Sequence, residues 1–334
     1  MQVVIKGLLL AAGAALFAWF VGRVGLEGLG AALAPLGWAA PLVLAPYFVV
    51  YMIDALAWRW TFAGPLTVGF PSLWGIRWCG EAVNGLVPSA YVGGEAVKVL
   101  LLKRRGVDAA RGTAAAMVSK SAQTLAQLLF LCAAATAFLR LAPDRPELRA
   151  GLVVVLGGGL ASVFALFWIQ SRGMYATLRQ VMSWGRWRPQ WLEASRQRIE
   201  GLDAAITSFY QVHRRRFLAS TVTYLAGWFL DTLEIYLVAH LLGQPMIWRQ
   251  AFVVEAFVGV AKVLGMAIPG SLGVQEGGVL LVGRAVGLPE PFCLAYAVLR
   301  RARELVFIGF GLMLLYGEGI NLGRLRSMSR STDL

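Results

Sequence analysis

Long apolar runs alternate with short polar stretches along most of the chain. A helix needs about 20 apolar residues to cross the hydrocarbon core of a bilayer. Runs near or above this length occur at residues 3–21, 38–60, 114–139, 151–169, 217–242 and 294–316. The pattern therefore predicts an all-α polytopic membrane protein with about six full transmembrane helices.

Two further stretches, residues 73–103 and 249–284, do not fit a straight crossing, because each is broken in its middle. The breaks lie at Pro88-Ser89 and at the sequence PGSLG, residues 269–273. Proline kinks a helix and glycine tolerates the turn, and non-helical backbone at membrane depth must be buried or line a wet cavity. We therefore predict two re-entrant helical hairpins, the first entering from the cytoplasm and the second from outside.

The two hairpin stretches superpose when the sequence is shifted by 181 residues. Chemically distinctive residues then coincide: Pro88 with Pro269, Glu95 with Glu276, Gly106 with Gly287, Lys120 with Arg301, and Glu81 with Lys262. The order of helix, surface stretch, helix, hairpin and helix repeats in the halves 1–140 and 150–317. We interpret the chain as two inverted halves, an arrangement in which transporters place the binding site at the membrane midplane.

Composition agrees with this class. Of the 334 residues, 58% are hydrophobic and 15% charged, with a mean hydropathy of +0.65. The net charge of +13 would suggest nucleic acid in a soluble protein, but in a membrane protein basic residues mark the cytoplasmic side. They cluster in residues 103–111, 172–216 and 324–330. We predict a single integral membrane domain, residues 1–334, in a bacterial inner membrane, with both termini cytoplasmic and no nucleic-acid partner.

The segment 172–216 would link the two halves in the cytoplasm, and it combines basic residues with Trp184, Trp187 and Trp191. This composition favours a surface helix that binds anionic lipids of the inner leaflet. An ordinary solvated loop is equally compatible with the sequence. The first apolar run, 3–21, has features of a signal peptide, but more membrane segments follow it, so we interpret it as an uncleaved helix.

The sequence carries no recognisable catalytic or metal-binding motif. Cys79, Cys132 and Cys293 are isolated in apolar stretches and are interpreted as core residues. The histidines, His213 and His240, belong to no HExxH motif, and no GxSxG or P-loop sequence occurs. We therefore expect a protein that is not an enzyme and that uses no cofactor and no metal.

Charged residues at membrane depth are the candidates for a binding site, because each is costly if it faces lipid. The second half-helix of each hairpin also presents its N-terminus at the break, where free N–H groups favour an anion. The predicted substrate site comprises Pro88, Ser89, Gly93, Gly94, Glu95, Lys98, Lys120, Pro269, Gly270, Ser271, Gln275, Glu276 and Arg301. A coupling or gating role is predicted for Glu81, Glu95, Lys262, Glu276 and Glu304.

Weaker candidates are Asp54, Asp231 and Glu234, of which the last two share one helix face that would line a cavity. The alternative for all these charges is mutual pairing that only stabilises the fold. Glu95 and Lys98 are one turn apart on a predicted helix, as are Arg300 and Glu304.

Four sequence motifs resemble a known family. They are GGEAVK (93–98), PGSLGVQEGG (269–278), VGLPE (286–290) and LRRARELVF (299–307). They are similar to the flippase-like family of the lysylphosphatidylglycerol synthase transmembrane region, and the second is most similar to its hopanoid-associated membrane proteins. The resemblance covers nearly the whole chain. The synthases carry an additional aminoacyl-transfer domain that we do not expect here, so their transferase activity is not carried over.

The resemblance implies translocation of lipids between leaflets. We expect a flippase-like transporter of an amphipathic lipid whose head group is anionic or zwitterionic and bears a phosphate. Two alternatives stay open: a non-transporting membrane partner that docks a lipid-biosynthetic enzyme through residues 172–216, and an intramembrane enzyme acting on a lipid phosphate. A homo-oligomer or a lipid-synthesis enzyme would be the protein partner.

Overall fold

The computed structural model of this protein is predominantly helical over the residues that it describes, and no strand occurs among them. These residues are 26–86, 92–141, 146–172, 196–265 and 268–319, with a few positions between 176 and 182. The helices are α1 (Leu26–Leu33), α2 (Ala45–Arg59), α3 (Phe70–Leu86), α4 (Val92–Arg104), α5 (Ala109–Leu141), α6 (Pro146–Arg172), α7 (Arg196–Val212), α8 (Arg214–Leu241), α9 (Trp248–Leu264), α10 (Val274–Ala285) and α11 (Glu290–Gly317). A 3-10 segment, Ala34–Leu44, leads into α2. The predicted all-α class is confirmed.

Within the described ranges, four spans are long and apolar enough to cross a membrane. They are Ala34–Arg59, Ala109–Leu141, Ala150–Gln170 and Arg214–Leu241, and each contains most of a predicted run. The predicted run 3–21 lies outside the described residues. The predicted run 294–316 falls in α11, a helix of 28 residues that is less apolar because its middle carries several charges. The crossing of the membrane by α11 therefore stays a prediction.

The outer surface of the bundle is apolar, as a bilayer requires. On α6, Val153, Val154 and Phe164 are 70%, 74% and 72% exposed, although water would strongly disfavour this arrangement. Leu281, Leu305 and other large apolar side chains are also exposed elsewhere. A helical bundle that presents such side chains outward is a membrane-embedded protein.

Each predicted hairpin stretch contains two helices that pack against each other. In the first stretch, α3 packs on α4, and Pro88 and Ser89 lie outside the described residues. In the second stretch, α9 packs on α10, and a short 3-10 turn, Pro269–Ser271, lies between them. Gly270 and Gly273 have φ angles of 61° and 80°, a left-handed conformation that glycine adopts at little cost.

Helix boundaries in the two parts of the chain correspond under the shift of 181 residues. Shifted in this way, α3 covers 251–267 and α4 covers 273–285, against Trp248–Leu264 and Val274–Ala285 for α9 and α10. The start of α5 at Ala109 falls on the start of α11 at Glu290. The packing corresponds as well. Helix α3 contacts α11, and their counterparts under the shift, α9 and α5, also contact each other.

Helix α2, which overlaps α8 under the same shift, packs beside it, and α5 packs on α8 as well. The Ser220 hydroxyl donates to the carbonyl oxygen of Ala57 at 2.9 Å, and the hydroxyls of Ser119 and Tyr224 are 2.5 Å apart. These contacts fix three helices around a common space.

Within the segment 172–216 the structure describes one long helix, α7 (Arg196–Val212). The helix α7 buries Ile206 and Phe209 against Ala114 and Val118 at the start of α5, while charged side chains lie on its exposed side. Trp184, Trp187 and Trp191 lie outside the described residues. The apolar side of this amphipathic helix therefore packs against α5.

Candidate functional site

A cavity of about 580 Å³ is lined by side chains of helices α2, α3, α4, α5, α8, α9 and α11. Its charged lining residues are Asp54, Arg77, Glu81, Glu95, Lys120, Asp231, Glu255, Lys262 and Arg300. Charges inside an apolar bundle are costly unless they are paired or face water, and in membrane proteins they mark functional sites. This concentration of charge makes the cavity the candidate functional site.

Arg77 on α3 joins two acids of the cavity wall. Its Nη2 atom lies 2.6 Å from Oδ2 of Asp54 on α2, and its Nη1 atom lies 2.5 Å from Oε1 of Glu81 one turn along α3. The guanidinium also stands over the ring of Tyr51, 5.1 Å from its centroid. A planar group with several donors suits this bridging position better than a lysine would.

On another wall of the cavity, Arg300 of α11 holds Glu255 of α9 by two hydrogen bonds. Nη1 donates to Oε2 at 2.5 Å and Nη2 donates to Oε1 at 2.9 Å. The Tyr296 hydroxyl accepts a bond from Arg300 at 2.9 Å. Pairing of Arg300 with Glu304, which the spacing suggested, is therefore wrong, because Arg300 points towards α9.

Glu95 lies in the first turn of α4 and its side chain lines the cavity. Its Oε2 atom lies 2.7 Å from Nζ of Lys98, and its Oε1 atom lies 3.4 Å from Nζ of Lys120 on α5. Lys98 is buried, with Nζ 4.8 Å from the ring centroid of Trp58, whereas the Lys120 side chain is 36% exposed. The pairing of Glu95 with Lys98 that the sequence suggested is therefore present.

Gly94 allows the two helices of the first hairpin stretch to approach closely. Its backbone N–H donates to Oδ1 of Asn84 at 2.9 Å, and a Cβ atom there would clash with the carbonyl oxygen of Gly80. Gly94 thus acts through packing and does not line the cavity.

Glu276 caps the N-terminus of α10. Its Oε2 atom accepts a bond from the backbone N–H of Gly273 at 2.7 Å, and its Oε1 atom accepts one from Nε of Arg301 at 2.8 Å. Arg301 also donates to the carbonyl oxygen of Gly270 at 2.8 Å. A carboxylate of the protein itself therefore occupies the helix end where we predicted that an anion would bind.

Glu304 connects this network to the cavity. It accepts bonds from Nη1 of Arg301 at 2.7 Å and from Nε2 of Gln275 at 3.1 Å. Nζ of Lys262, whose side chain lines the cavity, lies 3.9 Å from Oε1 of Glu304. The Ser271 hydroxyl donates to the carbonyl oxygen of Lys262 at 3.0 Å.

The structure thus separates the predicted site residues into groups. Those that line the cavity are Glu81, Glu95, Lys120 and Lys262. Those that do not line it, but surround the breaks or pack behind its wall, are Gly93, Gly94, Lys98, Pro269, Gly270, Ser271, Gln275, Glu276, Arg301 and Glu304. The predicted residues Pro88 and Ser89 lie outside the described part of the chain.

Of the weaker candidates, Asp54 and Asp231 line the cavity and Glu234 does not. Glu234 is buried and forms an ion pair with Arg303 of α11. Sequence reasoning missed Arg77 entirely. Its spacing of four residues from Glu81 within an apolar helix is the signal that would have found it.

No group of three or more metal-ligating side chains occurs within the described ranges. The arrangement offers acids, ammonium groups and guanidinium groups around an accessible space. Such a site can hold a charged head group and can exchange protons or ion-pair partners.

An apolar helical bundle that encloses a charged cavity defines a polytopic membrane protein. The sequence profile of the lysylphosphatidylglycerol synthase TM region matches residues 3–311, and the chain therefore belongs to this family. The matched region is the membrane part of the family, so this is a membrane protein related to lipid handling. Comparison with curated proteins found no match.

Proposed function

We propose that this protein is a lipid translocase, which moves an amphipathic lipid between the leaflets of a bacterial inner membrane. The observation that carries the proposal is the charged cavity of about 580 Å³ within a bundle whose outside is apolar. A lipid has to move a polar head group past a hydrocarbon layer while its tails stay in contact with that layer. A cavity with charged side chains in its wall, inside a membrane-embedded bundle, would give the head group a place to cross.

The proposal includes two inverted halves, 1–140 and 150–317, each with a re-entrant hairpin. The matching boundaries of α3 with α9, α4 with α10 and α5 with α11 support this arrangement. Helices α2 and α8 would form the centre of the pseudo-symmetry, and both contribute acids to the cavity. Transporters with inverted repeats use such a centre to alternate access between the two sides.

We assign the head-group contact to Lys120 and Lys262. Both lysines line the cavity, with side chains 36% and 31% exposed, and they belong to different halves of the chain. The first turn of α4 also reaches the cavity through Val92 and Glu95, so a helix N-terminus is close to the same space. Two ammonium groups near a helix N-terminus favour a phosphate.

We assign a gating role to the predicted residues Glu81, Glu95, Lys262, Glu276 and Glu304. Each of them forms an ion pair between side chains of the hairpins or of the helices beside them. A head group that approaches Lys120 competes with Glu95 for it, since the two charged atoms are 3.4 Å apart. Binding would thereby loosen a contact between α4 and α5.

The basic segment 172–216 is proposed to lie at the cytoplasmic leaflet and to bind anionic lipids there. A groove between α6 and α7 supports this proposal, because Phe167, Trp168 and Tyr210 line it together with Arg214. Aromatic rings with nearby basic groups are typical of the interface between lipid and water. This placement would leave both termini in the cytoplasm.

The direct test is lipid movement in vesicles that contain the purified protein. Fluorescent phospholipids with anionic, zwitterionic and neutral head groups, and a polyprenyl phosphate, are compared side by side. The variant with both Lys120→Gln and Lys262→Gln should move phosphate-bearing lipids at least about tenfold more slowly, because it loses charge-assisted bonds. Lys103→Gln is the matched control, since Lys103 is exposed and lies outside the cavity. If the wild-type protein moves no lipid, the proposal is wrong.

A further inference from the structure

Asp231 on α8 differs from every other acid that lines the cavity. Its side chain reaches the cavity, and its Oδ1 atom is buried without a hydrogen-bond partner. No ion pair or hydrogen bond to Asp231 occurs among the residues that the structure describes. Each of the other acids has a carboxylate oxygen within 3.4 Å of a side-chain nitrogen of lysine or arginine. These acids are Asp54, Glu81, Glu95 and Glu255.

The cations near Asp231 are all held by other carboxylates. The ionisable groups that line its cavity or lie near it come from seven helices. They are Tyr47 and Asp54 on α2, Arg77 and Glu81 on α3, Glu95 on α4, Lys120 on α5, Tyr224 and Glu234 on its own helix α8, Glu255 and Lys262 on α9, and Arg300 and Arg303 on α11. Arg77 is held by Asp54 and Glu81. Both Nη atoms of Arg300 donate hydrogen bonds to Glu255, and Arg303 forms an ion pair with Glu234. Lys120 and Lys262 pair with Glu95 and Glu304.

An ionised Asp231 would therefore add a negative charge that forms no ion pair with any described residue, beside the acids Asp54 and Glu255. Desolvating such a charge is expensive, and binding one proton removes the cost. When the cavity opens to water, the same carboxyl group can be hydrated and release its proton. Whether Asp231 holds a proton thus depends on whether the cavity is open to water or closed.

We propose that Asp231 is the proton-binding carboxylate that couples this cavity to the proton gradient. The proposal rests on the proposed function, because it makes the movement of lipid depend on the uptake of a proton from one side and its release on the other. The carboxylate accepts H⁺ from water to become a carboxylic acid and later returns it to water, so the charge balances without any further reactant. Glu95 and Glu276 already have cations as partners and act as gates.

The first test measures protonation directly and does not require transport. Infrared difference spectra of the purified protein, recorded between neutral and alkaline pH where exposed carboxyl groups stay ionised, should show a carboxylic C=O band that Asp231→Asn removes. Asp231→Glu should keep a titrating band at a shifted frequency. Asp108→Asn is the matched control, because Asp108 is exposed outside the cavity, and it should leave the band unchanged. A band that survives in Asp231→Asn overturns the proposal.

The second test uses vesicles with a pH difference across the membrane. With one proton moved per lipid, one pH unit supports up to about a tenfold ratio of lipid between the leaflets. The wild-type protein should generate such an asymmetry, whereas Asp231→Asn should only equalise the leaflets. Lipid movement by the wild type that ignores the gradient would overturn the coupling and leave the translocase intact. Absence of any lipid movement would overturn the translocase, while the infrared titration would still decide where the proton binds.

Discussion

The guanidinium of Arg301 on α11 holds the carboxylate of Glu276 on α10, with Nε 2.8 Å from Oε1. The Glu276 side chain is almost completely buried and also accepts a bond from the N-terminus of its own helix. Because Arg301 reaches the carbonyl of Gly270 as well, one side chain ties the break of the second hairpin to the neighbouring long helix. The turn of the second hairpin is therefore held by Glu276 of the hairpin together with Arg301 of α11.

Removing the cation of this pair should destabilise the protein. Arg301→Gln leaves Glu276 buried without a cation, which costs about 3–5 kcal/mol. Combining Arg301→Gln with Glu276→Gln should lower the unfolding free energy by less than the sum of the two single changes, since the two residues act as one unit. Thermal unfolding in detergent micelles measures the difference. Additive effects would contradict the inference.

Arg284→Gln is the control for this comparison. Arg284 pairs with Glu290, but its side chain is 56% exposed, so its removal should cost at most about 1 kcal/mol.

Arg77 should be needed to keep two acids together at the cavity. Arg77→Gln leaves Asp54 and Glu81 without a shared cation and should cost about 3–5 kcal/mol in unfolding free energy. Arg77→Lys should have a smaller effect, because one ammonium keeps the charge but cannot match the bridging geometry. Neutralising both acids as Asp54→Asn and Glu81→Gln should restore stability to Arg77→Gln. An unchanged melting temperature in Arg77→Gln would show that the bridge contributes nothing.

Gly94 should not tolerate a side chain. Gly94→Ala places a methyl group against the carbonyl of Gly80, so α3 and α4 have to move apart at a cost of about 1–3 kcal/mol or more. Gly75→Ala on α3 is the matched control, since no atom lies within 4 Å of the added Cβ. It should leave the melting temperature unchanged or raise it slightly. Equal effects of the two substitutions would contradict this account of the packing.

Opposite orientation of the two hairpins can be tested by accessibility. Lys103 and Arg284 are both exposed, end equivalent helices and coincide under the shift of 181 residues. In a background in which Cys79, Cys132 and Cys293 are replaced by alanine, single variants Lys103→Cys and Arg284→Cys are exposed to a membrane-impermeant maleimide. With intact cells lacking an outer membrane, Arg284→Cys should react and Lys103→Cys should react only after lysis. Reaction of both from the same side would rule out the inverted arrangement.

The sequence by itself determined the class of the protein and the location of its helices. Apolar runs and helix breakers act over a few neighbouring residues, so they predicted the spans, the break at Pro269 and the pairing of Glu95 with Lys98 one turn away. The shift of 181 residues likewise predicted which helices would match in length and order.

Only the tertiary structure decided which charges share the cavity and which partner each one has. Arg300 pairs with Glu255, 45 residues away, and not with its neighbour Glu304, because α9 and α11 pack so that this acid faces it. Glu95 and Glu276 are equivalent in sequence, yet one lines the cavity and the other caps a helix. Ion pairs across helices depend on packing between distant segments, and no local pattern encodes that packing. For the same reason, only the packed helices show that Asp231 has no ion-pair partner among the described residues.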